Sequence, residues 1–221
     1  FLTCGWRAAR HDRWFQSGAW LGVSAALKPF LLFFLPVLLL RQRWRCVLMA
    51  IVSFAASIAA GAIVFGRAAV HEWLMVLRTP PPAEQMTYFI NASLSAIFAR
   101  ASLPAAVSIA LVGSFMFVSI VVTRAADEDK AWLVTTMSAV LISPLGWVYY
   151  LPLFTAPLLA VSTTRGLPVR TWAVWPLLVV PPLGKEWLQS NPLLAVTVGS
   201  AYAWGLFLLW CGAAFAPSSD R

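Results

Sequence analysis

The stretch GAWLGVSAALKPFLLFFLPVLLLRQRWR (residues 18–45) decides the fold. A run of small and apolar residues leads to Lys28-Pro29, and a second apolar run then ends at Arg41, Arg43 and Arg45. Apolar runs of this length belong in a bilayer, whose hydrocarbon core of about 30 Å takes about 20 helical residues. Proline removes a backbone donor, and a lysine near the bilayer centre costs about 2.5–3.5 kcal/mol on insertion scales. Two short helices, 14–27 and 29–40, that dip in and return to one face satisfy both this basic turn and the upstream RAARHDR (7–13). A single broken span over 14–40 is the alternative. Broken backbone at membrane depth is tolerated only where protein or a water-filled cavity covers it. The break therefore points to a site or to a packed bundle interior.

Composition agrees with a membrane setting. The 221 residues are 61% hydrophobic and 11% charged, with a mean hydropathy of +0.80. Soluble domains carry about 25% charged residues. A soluble enzyme, a secreted disulfide scaffold and a disordered tail are all excluded, which leaves an all-α, polytopic transmembrane helical bundle. The net charge of +8 comes from Lys and Arg in short clusters between apolar runs. Such clusters mark topology rather than a basic face for nucleic acid, so no nucleic-acid partner is expected. Cys4, Cys46 and Cys211 lie far apart without a CxxC, which implies neither a zinc site nor a disulfide framework. The chain opens at Phe1 without the basic, apolar and cleavage regions of a signal peptide, and reads as the C-terminal part of a longer protein.

Beyond the broken run 14–40, spans are expected at about 46–66, 103–123, 131–147, 148–162, 171–183 and 193–215, within one membrane domain. With RQRWR in the cytoplasm, that side also takes Arg124, Lys130, Arg165, Arg170 and Arg221. The outer side takes Arg67, Arg78, Arg100 and Lys185, so the positive-inside rule supports this orientation. An extracytoplasmic loop, 67–102, is too long for a simple connector. Its AVHEWLMVL (69–77) predicts an amphipathic interfacial helix. Asn91-Ala-Ser93 matches the N-glycosylation sequon, a pattern common by chance. Farther on, AVLISPLGWVYYLPLF (139–154) breaks an apolar helix at Ser143-Pro144 and Gly146, and polar aromatics follow. Such rings form either an interface belt or a platform for a sugar or lipid headgroup.

Three pieces in order, 18–45, NASLSAIFAR (91–100) and ISPLGWVYYLPL (142–153), resemble glycosyltransferase family 87. These are the DUF2029-type, polyprenyl-phosphate-mannose-dependent mannosyltransferases of the GT-C class. The resemblance implies a GT-C-like fold in the cytoplasmic membrane. It also implies a hexosyltransferase that moves mannose from a polyprenyl-phosphate donor to a lipid or glycan acceptor on the outer side. The partners are then that donor, that acceptor and membrane lipids. No cofactor is expected, and neither a GxGxxG nor a DxD motif is present. The family's catalytic acid lies in a first extracytoplasmic loop, which this reading places upstream of Phe1, so the chain alone is expected to be inactive. The outer acids Glu72, Glu84 and Glu186 do not match that motif, and no base is assigned among them. Where many members carry histidine after the Ser-Pro-x-x-Trp segment, Tyr149 and Tyr150 stand here.

Lys28 and Arg100 are the candidates for the donor phosphate, because a fixed cation stabilises a phosphate leaving group and a guanidinium offers it a bidentate fork. The competing roles are snorkelling for Lys28 and headgroup anchoring for Arg100. Asn91, Ser93, Ser143, Trp147, Tyr149 and Tyr150 are the candidates for the substrate cavity, with helix capping as the alternative for Asn91 and Ser93. His71-Glu72 is too small a set for a metal site, and no metal is expected. His11 and Asp127-Glu128-Asp129 read as solvated surface. Two rival readings remain, a transporter or lipid flippase gated at Lys28-Pro29 and a non-catalytic membrane subunit.

Overall fold

The computed structural model describes residues 1–165 and 191–216. The expected span 171–183, together with Arg170, Lys185, Glu186 and Arg221, lies outside the described residues. The described residues form helices and turns without a strand, and the fold is an all-α membrane bundle. Trp44–Arg78, Ala105–Arg124 and Pro192–Ala214 are long and apolar enough to cross a membrane. The chain divides into two compact units, Phe1–Pro81 and Pro82–Arg221.

The first unit contains α1 (Leu2–Arg10), α2 (Trp14–Leu27), a 3-10 turn (Pro29–Phe33), α3 (Phe34–Leu40) and α4 (Trp44–Arg78). Small residues on α2 set the packing. Gly18 lies against the Cys46 carbonyl and Gly22 against the Ala50 carbonyl, so closely that a Cβ at either position would collide with α4 backbone. Both contacts advance by four residues, so α2 and α4 run parallel. Close backbone approach through small residues is how helices associate where hydrophobicity alone supplies no drive. Hydrogen bonds reinforce the contact: Cys46 Sγ donates to Ser17 Oγ at 3.6 Å, and Ser53 Oγ donates to the Ala19 carbonyl at 2.8 Å.

Because α2 and α4 are parallel, the chain must return between them, and it does so through residues 29–40. The Arg43 guanidinium lies 4.1 Å from the Trp14 ring centroid, and that of Arg45 lies 5.9 Å from Phe15. The basic segments around residues 7–13 and 41–45 therefore meet at one end of the unit. The turn comes at Lys28, whose backbone (φ −139°, ψ 87°) leaves the helix, and Pro29 opens the 3-10 turn. Lys28 is exposed. Farther along, α4 bends at Gly66 (φ 85°, ψ 163°), a conformation that only glycine adopts readily. The amphipathic segment 69–77 thus forms a second leg of α4. Beneath the bend, an apolar groove of about 520 Å³ runs between the end of α2, at Ala26 and Leu27, and α4 from Ser57 to Trp73.

The second unit contains α5 (Ala83–Thr87), α6 (Leu94–Arg100), α7 (Ala105–Arg124), α8 (Glu128–Ile142), a 3-10 turn (Val148–Phe154), α9 (Thr155–Arg165), α10 (Pro192–Val196), a short 3-10 turn (Val198–Ser200) and α11 (Ala201–Ala214). Its core is α8, buried from Lys130 to Leu141. Trp210 of α11 donates its indole N–H to Ser138 Oγ at 2.7 Å, which joins these helices by a buried polar contact. On α7, Ile109, Phe117 and Val121 are exposed, a surface suited to lipid. The acidic 127–129 segment is more than a solvated turn. Asp127 caps α8 by accepting the Lys130 backbone N–H at 3.1 Å. The buried Lys130 ammonium donates to the Ala216 carbonyl at 2.7 Å, just past the C-terminus of α11, where a cation is favourable.

Candidate functional site

Two sequence motifs some fifty residues apart come together in the second unit. Asn91 is fully buried and forms an isolated antiparallel bridge with Trp147. Its amide donates to the Pro144 carbonyl at 2.9 Å, and its Oδ1 accepts the N–H groups of Ser93 at 3.2 Å and Gly146 at 3.0 Å. The backbone completes the seam: Ala92 N–H donates to the Gly146 carbonyl and Val148 N–H to the Ile90 carbonyl. Gly146 is required by the close approach, since a Cβ there would sit 2.5 Å from the Val140 carbonyl oxygen and 3.1 Å from Ser93 Cβ. Ser93 caps α6 by accepting the Ala96 N–H at 3.1 Å. The sequon is therefore closed to glycosylation in the folded chain, because its asparagine is buried and committed.

Arg100 ends α6 and is buried. Its Nε donates to the Thr87 carbonyl at 3.2 Å, and its Nη2 donates to the carbonyls of Tyr88 at 2.6 Å and Asn91 at 3.2 Å. Its Nη1 donates to Ser200 Oγ at 2.8 Å. These bonds fix the guanidinium between the end of α5, the Asn91 seam and the start of α11. All are to neutral oxygens, and no carboxylate among the described residues pairs with Arg100. Burial lowers its pKa from the ordinary arginine value to about 10, which leaves the group charged at neutral pH. A guanidinium has five N–H donors, so one on Nη1 remains uncommitted.

Arg100 borders a cavity of about 670 Å³, within the usual range for ligand sites. Glu84, Thr87, Tyr88 and Phe89 form one wall, while Pro192, Ala195 and Gly199 contribute from the other side. The Tyr88 ring packs edge-on against Trp147, with centroids 6.1 Å apart at 73°. The seam thus supports a cavity wall through Trp147. Among the described residues, no cluster of His, Cys, Asp and Glu could hold a metal.

The sequence candidates fall into distinct places. Arg100 borders the cavity, whereas Asn91, Ser93 and Ser143 are buried in or beside the seam behind it. Trp147 braces Tyr88; Tyr149 is exposed, and Tyr150 lies in the 3-10 turn Val148–Phe154. Lys28 belongs to the other unit. Thr87, Tyr88, Phe89 and Ser200 are not among the sequence candidates; the polar-aromatic stretch before Asn91 is the one local signal for the first three, and nothing local marks Ser200.

The family model for glycosyltransferase family 87 matches residues 1–144, well over half of the chain. The chain belongs to glycosyltransferase family 87. It is accordingly a membrane protein of a glycosyltransferase family. The family 87 match takes in the α2–α4 pair, the Asn91 segment, Arg100 and Ser143, and stops just before the Gly146 side of the seam. No curated protein and no solved structure matches this family 87 chain.

Proposed function

We propose that this family 87 chain serves in transferring mannose from a polyprenyl-phosphate donor to a lipid or glycan acceptor at the outer face of the cytoplasmic membrane. The carrying observation is Arg100, a buried cation that borders a cavity and has no carboxylate partner among the described residues. A buried charge is costly unless an opposite charge meets it. The donor's phosphate is such an anion, and a guanidinium already held by carbonyls needs little reorganisation to receive it. In the reaction the acceptor oxygen attacks the anomeric carbon, and the bond from that carbon to the phosphate oxygen breaks. The lipid phosphate leaves with the electron pair, and the acceptor's proton passes to a carboxylate base.

Lys28 is the second proposed phosphate-binding residue, exposed at the helix break of the first unit. Asn91, Ser93 and Ser143 support the cavity from the seam and Trp147 braces its Tyr88 wall, whereas Tyr149 and Tyr150 are not among the residues that line it. Family membership also weighs against the transporter reading of the Lys28-Pro29 break. The test uses the full-length protein in membranes and follows labelled mannose from polyprenyl-phosphate-mannose. Arg100→Lys and Lys28→Ala are compared with the unaltered protein after thermal melting shows that both variants are folded. Loss of transfer, or a raised donor KM, in either variant supports the reading. Unchanged kinetics in both would remove the phosphate assignment.

A further inference from the structure

The Arg100 cavity has three chemically different walls. Arg100 supplies a cation. Tyr88 and Phe89 supply two rings with centroids 4.8 Å apart, tilted by 39°. Glu84 supplies a carboxylate on an exposed part of α5. Glu84 and Thr87 lie three positions apart, hence on one face of α5, and the Thr87 carbonyl accepts from Arg100 Nε. The Glu84 backbone therefore stands nearly one helical turn, roughly 4.5 Å, along α5 from that of Thr87, whose carbonyl holds the arginine. The two charges make no ion pair with each other. Each is left to face the cavity.

We infer that this cavity receives the glycosyl-phosphate headgroup as one unit, with Glu84 as the residue that reads the sugar. The inference rests on the proposed donor chemistry. Arg100 meets the phosphate, the Tyr88–Phe89 pair covers an apolar face of the ring, and Glu84 accepts hydrogen bonds from sugar hydroxyls. Hydrogen bonds to an ionised carboxylate are among the stronger polar contacts. A site that binds a hydroxyl in this way rejects an analogue lacking it, because its polar group is then left unpaired. Glu84 thus governs sugar choice while Arg100 governs retention of the lipid phosphate.

Two constants separate these roles in the full-length membrane protein. One is the donor KM, measured with polyprenyl-phosphate-mannose or polyprenyl-phosphate-glucose, whichever the unaltered protein turns over. The other is the inhibition constant of sugar-free polyprenyl phosphate. Glu84→Gln keeps the side chain's shape and is expected to raise the donor KM about tenfold or more. It should leave the inhibition constant unchanged and weaken discrimination against deoxy-sugar donors. Arg100→Lys is expected to raise both constants. If Glu84→Gln moves both equally or neither, the sugar-reading role is overturned while the phosphate reading stands. If Arg100→Lys leaves the inhibition constant unchanged, the phosphate reading itself fails.

Discussion

Asn91 Oδ1 accepts the backbone N–H of Gly146 at 3.0 Å, so one buried side chain ties the α5–α6 connection to the break after α8. Removing it strands two N–H donors, those of Ser93 and Gly146. A buried unpaired donor costs about 1–3 kcal/mol. Asn91→Ala is therefore expected to destabilise the second unit by about 2–6 kcal/mol, seen as a lower melting temperature in detergent. Asn91→Asp should not rescue it, since a carboxylate cannot donate to the Pro144 carbonyl.

Gly146 and Gly113 make a matched pair. A methyl at Gly146 meets the Val140 carbonyl and Ser93, whereas one at Gly113 meets nothing within 4 Å. Overpacking costs about 1–3 kcal/mol, so Gly146→Ala should melt earlier. Gly113→Ala, in the middle of α7, should be neutral or slightly stabilising. Equal melting shifts in the two variants would contradict the close seam.

The parallel pairing of α2 with α4 is open to a covalent test. Ser17 Oγ lies 3.6 Å from Cys46 Sγ. Ser17→Cys is expected to form a disulfide with Cys46 on mild oxidation, read as the loss of two alkylatable thiols by mass spectrometry. The same substitution combined with Cys46→Ala should show no such loss. Absence of the crosslink in the first variant would speak against the helix register.

Arg100 sets a pH expectation. Burial lowers its pKa from the ordinary arginine value to about 10. The donor KM should therefore be independent of this group from about pH 6 to 9, where the cation is intact. Above about pH 10 deprotonation removes the positive charge, and the donor KM should climb. The stability effect has the opposite sense, since the folded state holds this proton less tightly than the unfolded one. The cost of burying the charge is present below about pH 10 and fades as pH rises from there towards the ordinary arginine value. A fall in donor affinity centred near neutrality would have to come from another group.

The sequence shows the parts of the fold that local chemistry controls. Proline after Lys28 stops α2, Gly66 interrupts α4 near the expected end of a span, and Ser93 caps α6. Each of these acts within a few residues. The site was less visible because its bonds are long-range. Arg100 stands out as an outer-side cation, but its clamp consists of the backbone carbonyls of Thr87, Tyr88 and Asn91, which any residue types would provide. Its contact with Ser200 spans one hundred positions. Asn91 and Ser93 read as cap or cavity residues because nothing local reveals that residues 144–146 arrive to meet them.

The parallel packing of α2 and α4 also bears on the lipid around the chain. From the shared arginine end, the 14 residues of α2 rise about 21 Å before Lys28. The first leg of α4, from Trp44 to the Gly66 bend, rises about 33 Å. Against a hydrocarbon layer of about 30 Å, one helix crosses fully while its neighbour halts about 10 Å below the far boundary. Lys28 can extend its ammonium outward, but its backbone cannot follow. Other protein must cover the break, or water and headgroups must reach down to it. The helix break thus makes a demand on whatever surrounds it as well as on the fold.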